Sequence, residues 1–261
     1  MKHRFLKNCF IGLVFFFLYL PIIILVVFSF NSSRMNIVFE GFTIDWYRNL
    51  FSNGELIEAF INTMIIAISS TVVSTVVGTI GAVGLKNYNF PFKNIINKLL
   101  YIPIVIPEIV LGISLLSMYT LMKLELGMFT LILSHIAFSI PFVVVSVRSV
   151  LTYEIKTYEE AAYDLGASRF KTFFLVTLPS IMPGVISGAT LAFTLSMDDV
   201  VISYFTAGPG SNTLPLYIYS MIKTGITPDV NALSSLMLFV TIIMLTGSAL
   251  IQTKKIVGDS K

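Results

Sequence analysis

Three acids and one histidine lie inside long apolar stretches of this 261-residue sequence, where a charged side chain is costly to bury. They are Glu108, His135 and the adjacent pair Asp198 and Asp199. An acid in the core of a bilayer costs roughly a few kcal/mol and usually faces a cavity or a cation. Because the same stretches contain no Lys or Arg, the acids must be stabilised by protonation, water, a basic residue of a second subunit or a cationic substrate.

A slender cation with several ammonium groups would suit these acids, since it needs spaced carboxylates for its charges and aromatic or apolar walls for its methylenes. On straight helices Glu108 would lie about 14 Å into the membrane, and Asp198 and Asp199 about 21 Å. Adjacent residues point about 100° apart, so one Asp is expected to line a path while the other holds a neighbouring helix or subunit. Ser196 shares the helix face of Asp199. Trp46, at the outer mouth, offers a cation–π face or serves as an interfacial anchor.

Prolines surround the first of these acids. Glu108 follows Pro107, and Pro103 lies one turn earlier. Two prolines loosen a helix and free carbonyl groups, which predicts a bend in the path; in the alternative, a protonated Glu108 bonds those carbonyls. We expect His135 to be a hydrogen-bonded packing residue rather than a ligand. No metal cluster, nucleophilic triad or catalytic carboxylate pair is evident in the sequence, so an enzyme is not favoured.

The elements that must position the acids are membrane spans. The chain is 56% hydrophobic and only 12% charged, whereas soluble domains are about a quarter charged. A net charge of +3 is too small and scattered to indicate nucleic acid. About 20 apolar residues of helix cross a bilayer, and backbone groups in lipid must be satisfied internally, so each span is a helix. Six stretches qualify: Phe10–Phe30, Ala59–Leu85, Leu99–Met122, Gly127–Val147, Gly184–Phe205 and Ala232–Ile251.

The distribution of Lys and Arg predicts the orientation of these spans. Thirteen of these residues fall in the two termini and the second and fourth connections, and four fall on the other side. The excess predicts that both termini are cytoplasmic. We divide the chain into residues 1–58, with the first span and an external interfacial segment at Phe42–Leu56; residues 59–252, a five-helix transport domain; and a cytoplasmic tail, 253–261. Thr206–Pro215 is predicted to be an external turn.

The fourth connection, residues 151–183, is longer than a link between neighbouring helices needs. Its pattern predicts a helix over Tyr153–Leu165, a left-handed turn at Gly166, a second helix capped by Ser168, and a stop at Pro179. Such an amphipathic pair suits docking into a groove on a partner. The residues that form the pattern are Glu160, Ala161, Ala162, Gly166, Val176, Leu178 and Pro179.

This spacing resembles the EAA loop of binding-protein-dependent ABC importer permeases, in which Ile usually stands where this chain has Val176; an ordinary interfacial hairpin is the alternative. The resemblance implies an all-α membrane protein with the type I ABC importer transmembrane fold and a cytoplasmic coupling helix. It also implies a second homologous permease subunit, two ATPase subunits and an external binding protein. The sequence contains no Gly-x-x-x-x-Gly-Lys-Ser/Thr phosphate loop, so ATP and Mg are expected on the ATPase subunits and no cofactor on this chain.

Three further stretches resemble the polyamine-type permeases: Phe28–Ser33, Ser196–Val201 and Gly208–Leu216. The resemblance implies a multi-pass subunit of the bacterial cytoplasmic (inner) membrane. It would form half of the translocation path for spermidine or putrescine delivered by the external binding protein. One alternative is a permease for iron, thiamine or another organic cation. Another is a secondary transporter or channel that uses the acids as proton or cation sites.

Overall fold

The computed structural model describes residues 2–33, 38–224 and 228–258, and its regular elements there are helices. In chain order they are α1 (Lys2–Phe28), α2 (Asp45–Ser52), α3 (Gly54–Asn87), α4 (Lys93–Leu99), α5 (Ile102–Val105), α6 (Glu108–Leu121), α7 (Met128–Val150), α8 (Tyr153–Asp164), α9 (Arg169–Thr172), a π-helix (Phe173–Thr177), α10 (Leu178–Asp198), α11 (Val201–Thr206), α12 (Leu214–Thr224) and α13 (Pro228–Gly258). The predicted all-α class is therefore confirmed for the described residues. Of the predicted tail, residues 259–261 lie outside them.

Four helical stretches are long and apolar enough to cross a membrane: Leu6–Phe28, Gly54–Asn87, Met128–Val150 and Arg169–Asp198. A fifth span results if the bent pair Lys93–Val105 and Glu108–Leu121 is counted as one. The sixth predicted span, Ala232–Ile251, falls within α13. Only Pro228–Ile243 of that helix qualifies, as a shorter apolar segment, and side chains from residue 248 onward lie outside the described part of the chain.

The third predicted span, Leu99–Met122, is not one helix. Its two halves meet at an angle of 113°, because the chain leaves helical geometry at Ile106 (ψ 137°) and Pro107 (ψ 133°). Proline lacks an N–H and disfavours the helical conformation in the residue before it. The depth expected for Glu108 assumed a straight helix, and the bend contradicts that assumption, whereas the expected bend is present.

The fifth predicted span, Gly184–Phe205, differs from the observed helix at both ends. The apolar helical run begins at Arg169, and α10 ends at Asp198, where the chain extends at Asp199 before α11. The predicted stop at Pro179 is wrong. The π-helix precedes it, with the Leu178 N–H donating to the Phe173 carbonyl, so Pro179 falls in the first turn of α10, where its missing N–H is tolerated.

The chain divides into two compact units, one formed by residues 1–58 with 217–242 and the other by residues 59–216 with 243–261. In the first unit, the short helix α2 lies within the predicted interfacial segment. Its Asp45 N–H donates to Thr43 Oγ1 over 3.1 Å. The Tyr47 hydroxyl lies 2.7 Å from Ser29 Oγ, just beyond α1, so a hydrogen bond joins α2 to the end of α1.

In the second unit, α10 packs along α7, and two glycines allow the close approach. A Cβ atom at Gly184 would lie 2.9 Å from the Ser146 carbonyl oxygen, and one at Gly188 would lie 3.1 Å from Val143 Cα. Small residues allow this kind of backbone contact between membrane helices. The buried apolar cluster beside this contact contains Ala82, Val83, Val143, Val144, Val147, Ile155, Ile181 and Ala192.

The predicted turn at Thr206–Pro215 is also present, as the link between α11 and α12. The Gly208 N–H donates to Ser211 Oγ, which donates to the Gly208 carbonyl, both over 2.8 Å. Gly210 has a left-handed φ of 71°. Helix α12 begins at Leu214, so Pro215 lies in its first turn rather than in the turn itself.

We expect Gly184→Ala to destabilise the protein by about 1–3 kcal/mol, because its methyl group would overlap backbone atoms of α7 that cannot move freely. Gly81→Ala is the matched control, since nothing lies within 4 Å of a Cβ atom there. Thermal unfolding of the purified protein measures both. Equal melting temperatures for the two variants would contradict the close α7–α10 contact.

Candidate functional site

Asp199 lies in the break between α10 and α11, with its side chain only 2% exposed. Its carboxylate accepts hydrogen bonds from the Ile202 N–H (3.1 Å) and from the N–H (2.7 Å) and hydroxyl (2.8 Å) of Ser203. These N–H groups belong to the first turn of α11 and have no partner within that helix. Asp199 therefore caps α11 and does not face an open path.

His135, on α7, extends this cluster to three more elements. Its Nε2 atom lies 3.1 Å from Ser203 Oγ and 3.6 Å from Asp199 Oδ2. Its Nδ1 atom lies 2.7 Å from Ser196 Oγ, which lies 3.2 Å from Ser70 Oγ on α3. We call Ser70, His135, Ser196, Asp199 and Ser203 the buried polar network. His135 is the buried hydrogen-bonded residue that the sequence predicted, and it is also the nearest ionisable partner of Asp199.

The other two acids are exposed, and each stands at the end of a helix beside a break. Glu108 is the first residue of α6, and Asp198 is the last residue of α10. The charges of Glu108 and Asp199 both act on Asp198. Among the described residues, neither Glu108 nor Asp198 forms an ion pair with Lys, Arg or His. The two exposed acids, Glu108 and Asp198, therefore lie close enough for their negative charges to interact.

The candidate path residues therefore separate into three groups. Glu108 and Asp198 are exposed, whereas Ser196 and Asp199 belong to the buried polar network. Trp46 belongs to the other compact unit, where its indole N–H donates to the Asn31 carbonyl over 2.6 Å. The single helix face expected for Ser196 and Asp199 does not exist, because α10 ends before Asp199.

The predicted helix–turn–helix is present at residues 153–172. The Gly166 N–H donates to the Tyr163 carbonyl and the Ala167 N–H to the Ala162 carbonyl, each over 2.9 Å. Gly166 has a φ of 80°, which is the left-handed C-terminal cap that the sequence predicted. Ser168 Oγ accepts the Lys171 N–H over 3.4 Å and caps the next helix.

This hairpin and the π-helix that follows it have apolar side chains that are largely exposed in the described chain. Leu165 is 89% exposed, and Phe170 and Leu175 are each 74% exposed. Glu160 is exposed and lies 3.5 Å from Lys156. Of the other candidates, Ala161 and Pro179 are exposed, and Ala162, Val176 and Leu178 are half-buried. An exposed patch with both apolar and charged groups is typical of a protein interaction surface.

A family model described as the binding-protein-dependent transport system inner membrane component matches residues 74–253. The chain belongs to this family. It is 43% identical to the spermidine/putrescine transport system permease protein PotC of Escherichia coli K12, covering 100% of this chain and 98% of PotC. It is 39% identical over 231 residues to the putrescine transport system permease protein PotI of the same organism, covering 86% of this chain and 82% of PotI.

Solved structures with a similar fold belong to ABC transporters. A bacterial transporter involved in the import of the acidic polysaccharide alginate gives a TM-score of 0.75 at 14% identity, covering 97% of this chain and 96% of that one. The methionine transporter MetNI in an inward-facing conformation gives 0.64 at 17% identity, covering 77% and 95%. These identities are low, so the likeness shows the fold alone. The family match and the relatives PotC and PotI show that this chain is a transport subunit rather than an enzyme, and they confirm the resemblance inferred from its loop.

The sequence analysis of this permease missed Glu159, which is buried although its neighbour Glu160 is exposed. It accepts hydrogen bonds from Thr177 Oγ1 (2.5 Å) and Asn87 Nδ2 (3.2 Å). Helical periodicity would have found it, because Ile155 and Glu159 are four residues apart and share the inward face of α8.

Asp199→Ala should destabilise the permease by about 3 kcal/mol, because the α11 N–H groups, Ser203 and His135 would lose a buried partner. Asp198→Ala, at the adjacent exposed acid, should change stability by about 0.5 kcal/mol or less. Thermal unfolding of the two purified variants measures the difference. Similar melting temperatures would show that Asp199 does not support the fold.

Proposed function

We propose that this permease is a subunit of an ATP-driven importer and forms half of the translocation path for polyamines, spermidine or putrescine, delivered by an external binding protein. The observation that carries this proposal is that Glu108 and Asp198 are both exposed, stand at helix breaks, and form no ion pair with Lys, Arg or His among the described residues. The names of the similar proteins PotC and PotI point to the same cargo.

The position of Asp198 supports binding of an ammonium group. The last carbonyl groups of a helix have no intrahelical partner and carry partial negative charge. At the end of α10 these carbonyls stand beside the Asp198 carboxylate, and Glu108 adds a second negative charge nearby. A chain of ammonium groups can bond both acids, and the partial negative charge at the end of α10 favours it, whereas a single inorganic cation cannot extend between separated carboxylates.

We assign the remaining candidate residues supporting roles. Ser196 and Asp199, through the buried polar network, fix the α10–α11 break that presents Asp198. Trp46 anchors the external segment through its bond to Asn31. The hairpin with Glu160, Ala161, Ala162, Gly166, Val176, Leu178 and Pro179 docks onto an ATPase subunit, which the exposed apolar side chains of the hairpin favour.

The proposed assembly contains this chain, a second homologous permease, two ATPase subunits and the binding protein, in the bacterial cytoplasmic membrane. ATP and Mg would bind to the ATPase subunits. Six spans with cytoplasmic termini are the arrangement that the Lys and Arg distribution favours, with α13 and the bent pair of helices as the spans beyond the four straight ones.

Asp198→Asn and Glu108→Gln should each reduce polyamine uptake at low substrate concentration by about tenfold, since each removes one charge-assisted contact. Uptake of labelled spermidine and putrescine by the complex in proteoliposomes measures this effect. Glu125→Gln, at an exposed acid outside the apolar helices, is the control. Unchanged uptake in both test variants would overturn the acidic path, and transport of thiamine or iron instead would reassign the cargo.

Gly166→Pro should abolish transport while membrane insertion survives, because proline cannot adopt the left-handed φ of 80°. Gly166→Ala should give a partial loss, since alanine reaches this φ at a cost of about 1 kcal/mol. Co-purification of the ATPase subunits and polyamine uptake are the measurements. Normal co-purification and uptake in Gly166→Pro would show that the hairpin is not the docking surface.

A further inference from the structure

Two adjacent acids of α8, Glu159 and Glu160, differ sharply in exposure, since adjacent residues of a helix point about 100° apart. Glu160 is exposed on the proposed docking surface, whereas Glu159 is only 7% exposed and faces the spans together with Ile155. Burial of a carboxylate is unfavourable unless it is paired or hydrogen-bonded. Glu159 forms no ion pair within 4.0 Å among the described residues, so hydrogen bonds are its direct polar contacts there.

The hydrogen bonds of Glu159 join α8 to the ends of two other elements. Thr177, which donates to Oε1 over 2.5 Å, is the last residue of the π-helix and is itself buried. Asn87, whose Nδ2 lies 3.2 Å from Oε2, is the last residue of α3. One carboxylate therefore connects the hairpin to the base of α10 and to the end of α3.

The element that Thr177 closes is irregular. π-Helices are rare and occur mostly as single turns, frequently at functional sites. At its C-terminal end the Leu178 N–H pairs with the carbonyl five residues earlier, at Phe173. Just before it, at the end of α9, the buried Thr172 hydroxyl has no hydrogen-bond partner among the described residues. A wide turn with an unsatisfied hydroxyl is held less firmly than an α-helical turn. The Glu159–Thr177 bond is thus the polar contact that fixes this junction to α8.

We propose that Glu159 is a positioning residue for energy coupling. Its bond to Thr177 passes a displacement of α8 to the π-helix and so to α10, whose far end carries Asp198. The bond to Asn87 passes the same displacement to α3. The inference rests on the proposed function in one respect, namely that the hairpin docks onto an ATPase subunit.

Apolar packing would keep α8 in place without this bond. Ile155 belongs to the buried cluster with Val143, Val147 and Ile181. Because that anchor is independent of Glu159, loss of the hydrogen bond should remove the polar connection between α8 and the π-helix, while apolar contacts of the same cluster, which include Phe173, keep α8 in place. This separates a positioning role from a purely structural one.

The test uses the complete complex in proteoliposomes with its binding protein, and measures polyamine molecules imported per ATP hydrolysed. We expect Glu159→Ala and Thr177→Val each to lower this ratio by about tenfold, while ATPase subunits still co-purify and ATP hydrolysis continues. Thr177→Ser keeps the hydroxyl and should restore most of the ratio. The double variant Glu159→Ala/Thr177→Val should be no worse than Glu159→Ala alone, since that single variant has already lost the bond to Thr177.

Thr157→Val, at an exposed threonine of α8, is the matched control and should leave the ratio unchanged. Hydrogen exchange of the 173–178 amides gives a readout that needs no cargo, and it should be faster in Glu159→Ala and Thr177→Val. An unchanged ratio with unchanged exchange, additive losses in the double variant, or loss of ATPase co-purification in proportion to uptake would overturn the inference. A wild-type complex that hydrolyses ATP without importing polyamine would contradict the proposed cargo instead, and the exchange readout would still decide the role of Glu159.

Discussion

The carboxylate of Asp199 accepts three hydrogen bonds from α11 in surroundings that exclude water. A helix that ends among apolar side chains leaves N–H and carbonyl groups that must find partners inside the protein. Asp199 supplies acceptors for the first N–H groups of α11, and His135 connects the same point to α7 and, through Ser196, to α3. The break after Asp198 is therefore a fixed feature of the fold, and it leaves the preceding acid free to face outward.

The two helix breaks, at Pro107 and at Asp199, are connected by packing of the helices that follow them. Helix α6 begins directly after the first break and packs against α11, which follows the second. Gly112 allows this contact, since a Cβ atom there would lie 2.6 Å from Phe205 Cδ2. Glu108 and Asp198 thus stand at the ends of helices that are fixed by other contacts. The Phe205 ring packs against Gly112 of α6, and the buried polar network fixes the end of α10. A rigid support of this kind keeps charged groups in place without burying them.

The sequence predicted the helical class, the turn at Gly166, the cap at Ser168 and the bend near Pro107, because each depends on local chemistry at named residues. It did not predict the break at Asp199, where neither proline nor glycine interrupts the apolar pattern. Only the hydrogen bonds from the Ile202 and Ser203 N–H groups reveal the cap. The prediction at Pro179 failed for a different reason. Proline is a local stop signal, but the π-helix before it lets α10 begin there, so the helical run continues. Helical periodicity predicts that Glu159 is buried, since it shares a helix face with Ile155. The known sequence motif, however, includes only Glu160.

The register of α10 is constrained at both ends, by Glu159 through the π-helix at its base and by the Asp199 cap at its tip. A deletion or insertion of one residue between them would rotate the tip by about 100° and exchange the surroundings of Asp198 and Asp199. The π turn, however, holds one residue more than an α turn between the same hydrogen-bonded levels. We therefore expect a one-residue insertion or deletion in this segment to be tolerated better at the base of α10, where the π-helix lies, than along α10 itself.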